Sequence, residues 1–133
     1  MKLTKAADYA LRVMLFLAMN EKKIYMRSEL SEFCGVPDSF LGKILQTLAK
    51  KKLLDSTKGK KGGFKLTKSP DEITLYDIVS AIDGDIYLNE CIDNPNLCDR
   101  SDNCKINFTL SKINNSIVKE LKNYTLIDLI KEN

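Results

Sequence analysis

Apolar residues recur at helical spacing from the first turn of the chain. Leu3, Ala6, Ala10, Val13, Met14 and Leu17 share one face, and Thr4 is placed to cap that helix. A shorter helix follows, opened by Ser28 and closed at Cys34-Gly35, where glycine suits a left-handed terminus. Pro37 then takes a first helical position, and Phe40, Leu41, Ile44, Leu45, Leu48 and Ala49 mark the buried face of a third helix. Two helices joined by a tight, glycine-containing turn predict a helix-turn-helix, a pattern that a small helical bundle also produces.

The period then changes. Leu53-Leu54-Asp55-Ser56-Thr57 and Phe64-Lys65-Leu66-Thr67 are short alternating runs around the connection Lys58-Gly59-Lys60-Lys61-Gly62-Gly63, which predicts a β-hairpin. Ser69-Pro70 breaks the chain, and Thr74 to Ile82 forms a short amphipathic helix with Thr74 and Asp77 as a capping pair and Gly84 as its stop. Residues 85–104 lose all periodicity. Helical spacing returns at Ile106, Leu110, Ile113, Ile117, Leu121 and Tyr124, a narrow seam on a helix of about 18 residues, roughly 27 Å long. No second long helix is available to cover that seam, so a second copy of the chain is the expected partner. The tail Thr125–Ile130 reads as a capped turn that packs back.

Charge separates the two halves. The net charge of the 133 residues is +3, yet residues 1–70 carry 15 Lys and Arg against 6 acids, and residues 71–133 carry 6 against 12. Eight Lys and one acid fall within residues 50–68. A solvated lysine-rich loop would account for them. A glycine-rich, basic hairpin directly after a helix-turn-helix is better explained as a wing along nucleic-acid phosphates, with Lys58, Lys60 and Lys61 at its turn.

Several classes drop out. The chain contains no His, which removes Ser-His and Cys-His nucleophile pairs and His metal ligation, and an enzyme is not expected. There is no phosphate-binding G-x-x-x-x-G-K-[ST] order and no C-x-x-C redox pair. No apolar run approaches the ~18 residues of a membrane span, and the start lacks the apolar stretch of a secretory signal, so a cytoplasmic protein is expected.

Three of the four Cys lie in the aperiodic segment. Cys91, Cys98 and Cys104 are separated by six and five residues, unlike the paired spacing of common zinc modules. Three thiolates in one loop suit an iron–sulfur cluster or zinc. Incidental thiols and a disulfide are the simpler alternatives. The surrounding Asp85, Glu90, Asp93, Asp99 and Asp102, opposed only by Arg100, do not favour thiolates, a deficit that bound metal would offset. Cys34, on the apolar side of its helix, is a buried hydrophobe. Asp8 and Arg12, four residues apart, read as a surface ion pair.

Taken together and in order, these segments resemble one family. Met1-Lys2-Leu3-Thr4, the helix-turn-helix, the wing Lys58–Phe64, Ile78-Val79-Ser80-Ala81-Ile82-Asp83-Gly84, the three-Cys loop and Thr125-Leu126-Ile127-Asp128-Leu129 are similar to the Rrf2 family of bacterial winged-helix regulators, from residue 1 to about 130. The resemblance implies a homodimer bridged by the long helix, with the loops holding a four-iron or two-iron cluster on Cys91, Cys98 and Cys104. It implies Asp8, reaching across from the other subunit, as fourth ligand, with Arg12 orienting it. One branch carries a His ligand where this chain has Asn107. The resemblance also places Ser39, Phe40 and Lys43 at the start of a recognition helix. Gly42 replaces a base-contacting Glu of some members, and Lys58 replaces an Arg that enters the minor groove in many.

The expected architecture is therefore mainly α with a small β wing. Residues 1–84 form a winged helix-turn-helix, 85–104 a cluster-binding cysteine loop, and 105–133 a dimerisation helix and tail. Ser28, Ser39, Phe40, Lys43, Lys58, Lys60 and Lys61 face double-stranded operator DNA, and Ile106, Leu110, Ile113, Ile117 and Leu121 face the second subunit. The expected function is a transcriptional regulator, a repressor controlled by an iron–sulfur cluster. The alternative is a cluster-free member controlled by thiol oxidation or a protein partner.

Overall fold

Thr4 caps the first helix, α1 (Lys5–Met19), its hydroxyl accepting from the Ala7 N–H at 3.1 Å and donating to Asp83. A computed structural model describes residues 2–94, 96 and 103–132; Cys98, with Asp99, Arg100 and Asp102, lies outside the described residues. Ala7, Ala10, Val13, Met14, Leu17 and Ala18 of α1 are buried. Leu3 is exposed instead of sharing the stripe, because it precedes the cap and so lies outside the helical period.

The second helix, α2 (Arg27–Cys34), starts one residue before Ser28. Glu29 reaches back to accept from the Met26 N–H at 2.9 Å, so Ser28 is an exposed residue of the first turn and not the cap. Gly35 closes α2 at φ +64°, as its position predicts. Pro37 stands just before α3 (Asp38–Lys50) and not within it. Leu41, Ile44, Leu45 and Leu48 are buried, whereas Ala49 is half-buried and Phe40 is 43% exposed. Phe40 turns away from the core and meets the Tyr9 ring edge-on at 5.4 Å.

The hairpin joins β1 (Leu54–Thr57) to β2 (Gly63–Leu66) antiparallel, with Leu54 opposite Leu66 and Asp55 opposite Lys65. Tyr25 extends the ladder by exchanging backbone hydrogen bonds with Phe64. A Cβ on Gly62 would collide with the Thr57 carbonyl, and one on Gly63 with the Tyr25 carbonyl, so both glycines are steric requirements of the wing. Helix α4 (Leu75–Asp83) carries the expected capping box: the Asp77 N–H donates to Thr74 Oγ1 and the Thr74 N–H to Asp77 Oδ2.

Residues 85–104 are not wholly irregular. One helical turn, α5 (Glu90–Asp93), forms there, too short to print a period on the sequence. Helix α6 (Lys105–Asn123) follows and packs on α4 and α5. The tail forms α7 (Leu126–Lys131), capped by Thr125 and Asp128 and packed against α1. Leu126 is fully buried in the same core as Met14, Leu30, Leu45 and Ile78, and its N–H donates to the Ile73 carbonyl.

Asn114 is the one buried residue among those described in α6. It is 4% exposed; its amide donates to the Ile86 carbonyl and accepts from the Leu88 N–H, each at 2.9 Å. That single side chain pins the segment leading into α5 against the long helix. Asn114→Ala should destabilise the fold by about 1–3 kcal/mol, because two backbone groups lose their partner. Urea unfolding should show a lowered midpoint with unchanged slope, and the exposed Asn115→Ala should move it little.

Candidate functional site

Two exposed surfaces and one thiol cluster carry the chemistry. The first surface is the outer side of α2 and α3 together with the wing. Ser28, Ser39, Phe40 and Lys43 are all exposed, as are Lys58, Lys60 and Lys61 at the hairpin turn. Arg27 of α2 is clamped to Asp38 of α3, Nε to Oδ1 at 2.9 Å and Nη2 to Oδ2 at 2.6 Å. Those hydrogen bonds hold the Asp38 carboxyl below the ordinary carboxylate range. The pattern of apolar positions did not point to this pair, since eleven residues and a turn separate its members.

The thiol cluster lies where α5 meets the head of α6. Cys104 stands at the N-cap of α6, and the Asn107 N–H donates to its sulfur at 3.4 Å. The Asn107 side-chain amide donates to Cys91 Sγ at 3.4 Å and to the Cys91 carbonyl at 3.2 Å. Two half-buried sulfurs, sixteen and three residues away, thus meet one asparagine. Sulfur is the soft donor that iron–sulfur clusters and zinc take. The donor set therefore fits thiolate ligation of an iron–sulfur cluster as far as Cys91 and Cys104 go. Among the described residues no three His, Cys, Asp or Glu converge on one metal position. The sequence marked Asn107 only as the position where one branch of the family carries a His ligand; as the third residue of α6 it also has a backbone N–H without an intrahelical acceptor.

Asp8 does not join this cluster within the chain. Its exposed carboxylate meets Arg12 Nη2 at 3.3 Å, an i,i+4 pair. Arg12 does more than the spacing indicated. Its Nη1 donates to the carbonyls of Cys34 and Gly35 at 3.2 and 3.4 Å, placing a cation on the C-terminus of α2. Cys34 itself is buried, and burial pushes its thiol up while Arg12 opposes the shift.

The second surface runs along α6. Ile106 and Ile113 are 68% and 46% exposed, and Tyr124 at its end is also open to solvent. Leu110, Ile117 and Leu121 are half-buried. Phe108 is exposed as well, with the Lys112 ammonium 4.5 Å from its ring centre. No helix among the described residues is long and apolar enough to cross a membrane.

Comparison with known proteins covers nearly the whole chain. A family model described as Rrf2, iron-dependent transcriptional regulator, matches residues 3–132. Protein aau3 of Rhizobium meliloti (strain 1021) is 35% identical over 132 residues, 98% of this chain and 86% of that protein. The HTH-type transcriptional regulator NsrR of Oceanobacillus iheyensis is 33% identical over 133 residues, 98% of this chain and 90% of that protein. The solved structure of T. potens IscR superposes with a TM-score of 0.79 at 22% identity, over 98% of this chain and 87% of that one, a likeness of fold.

Proposed function

Because the chain belongs to the Rrf2 family, whose members are DNA-binding transcriptional regulators and not enzymes, we propose that it is a homodimeric repressor whose operator affinity answers to an iron–sulfur cluster. Cys91, Cys98 and Cys104 would hold the cluster, of the four-iron type in preference to the two-iron type. The observation that carries this reading is the meeting of Cys91 and Cys104 on Asn107 at the head of α6. Asp8 of a second subunit would supply the fourth ligand, and Arg12, already on its carboxylate, would orient it. When bound, such a cluster supplies an inorganic centre that oxygen, nitric oxide or iron supply can alter.

The chain's own part is mechanical coupling. Cys91 sits on α5 and Cys104 at the head of α6, so a change in how the thiolates are held acts directly on α6. The uncovered side of α6 would set the spacing of the two subunits and hence of their paired α3 helices. Two arrangements of one dimer, biased by the thiolates, are sufficient for switching.

Anaerobic purification followed by iron and sulfide counts and an absorption spectrum tests the proposal. Cys91→Ala and Cys104→Ala should each lose iron and sulfide while keeping the far-ultraviolet helical signal. Asp8→Ala should keep the fold and the dimer but lose the visible absorption faster in air, because an oxygen ligand and its orientation are gone. Equal decay in wild type and Asp8→Ala would return Asp8 to a simple ion pair with Arg12. Native protein with zinc or no metal, whose DNA binding responds to thiol oxidation, would establish the cluster-free alternative.

A further inference from the structure

Arg27 and Asp38 form a closed fork at the head of α3. Besides the two carboxylate contacts, Nη2 lies 3.3 Å from the Asp38 carbonyl oxygen, so three contacts to one residue fix the plane of the guanidinium. That plane rests over Gly42, one turn further along α3. A Cβ at Gly42 would stand 2.9 Å from Arg27 Nη1 and 3.0 Å from Cζ. Glycine weakens a helix interior; here its missing side chain is the seat of the guanidinium. Both partners remain open to solvent, with 49% and 62% of their side-chain surface exposed. Among the described residues no acceptor takes Nη1, which keeps two N–H donors.

The surroundings distinguish what this fork can bind. An exposed ion pair contributes little to stability by itself. A phosphate contact calls for uncompensated positive charge, and the Asp38 carboxylate both cancels that charge and repels phosphate oxygens. A base edge calls for the opposite: fixed, directional donors with little net charge. Guanine is the base whose major-groove edge presents two acceptors, N7 and O6, and no donor, so an N–H that Nη1 still holds meets an acceptor at either atom.

We infer that Arg27 reads a guanine in the major groove, positioned by Asp38 and seated on Gly42. This role rests on α3 being the DNA-facing helix of the proposed regulator. The test uses the full chain, purified anaerobically, and a duplex library with randomised central base pairs, sequenced before and after selection. The native chain should enrich a motif containing a guanine that Arg27→Ala stops selecting, with discrimination there falling about tenfold and other positions unchanged. Gly42→Ala should reproduce that loss with an unchanged or raised thermal midpoint, so unfolding cannot be the cause. Asp38→Asn should weaken the guanine preference while strengthening binding to unselected duplex, because the guanidinium charge is freed. A native motif that survives Arg27→Ala intact overturns the inference and leaves the DNA-facing role of α3 standing. Uniform weakening, with a salt slope lower by about one per subunit, would make Arg27 a phosphate contact and also overturn it. A native chain that enriches no sequence overturns both together.

Discussion

Ile113→Glu is expected to leave the chain folded and monomeric. Ile113 is 46% exposed in the single chain, so a carboxylate there costs the isolated subunit almost nothing. In a pair of α6 helices it would enter an apolar interface without a partner, at about 3–5 kcal/mol for each uncompensated charge. A two-fold interface repeats the insult, so the dimer dissociation constant should rise by several orders of magnitude. Sedimentation at micromolar concentration should give a monomer, and operator affinity should collapse with it because one recognition helix binds alone. Ile117→Glu should act in the same direction, with some added loss of subunit stability because Ile117 is already half-buried. Asn115→Glu, on an exposed side of α6, is the control and should remain a dimer. A stable Ile113→Glu dimer would mean that the subunits meet elsewhere.

Operator affinity should fall about 10⁴-fold between about 50 and 200 mM salt, taking roughly four neutralised phosphates per subunit and a slope of about −0.9 for each. Lys58, Lys60 and Lys61 stand exposed at the tip of the wing, with Lys65 and Lys68 exposed below them. The hairpin can present them together because Gly62 and Gly63 let its backbone close on Thr57 and Tyr25. Lys60→Ala should weaken every duplex about equally and lower the slope by about one per subunit. Lys58→Ala should also reduce preference for a narrow, A·T-rich minor groove, where a cation gains most. Fluorescence anisotropy titrations across salt concentration measure both effects. A flat salt response would take the wing out of the interface.

The elements built from neighbours in the chain were determined by the sequence alone. Helical spacing located α1, α3, α4 and α6. The pair Thr74/Asp77 located one helix start, because its hydrogen bonds span three residues, and the tail read as a capped turn where the structure has α7. Glycines between two short alternating runs marked the hairpin. The lysines of the wing and the uncovered isoleucines of α6 followed from pattern as well, since exposure is what remains when a helix or hairpin has filled its one buried face. Leu3 and Phe40 show where that logic stops: an apolar residue beyond a cap, or at the edge of a stripe, is buried only if another element arrives to cover it.

Tertiary structure alone decided the polar contacts between elements. Arg27 meets Asp38 across a turn, Asn107 gathers Cys91 and Cys104, Asn114 holds the backbone at Ile86 and Leu88, and Arg12 closes the end of α2. Arg27, Asp38, Asn107 and Asn114 do not differ, in the pattern of apolar and polar positions, from ordinary solvent-facing side chains. A hydrophobic stripe repeats, so several residues report the same face. A hydrogen bond between distant residues is a single event, set by where two backbones pass within about 3 Å of each other's side chains, and that proximity exists only after the core of Met14, Leu30, Leu45, Ile78 and Leu126 has closed.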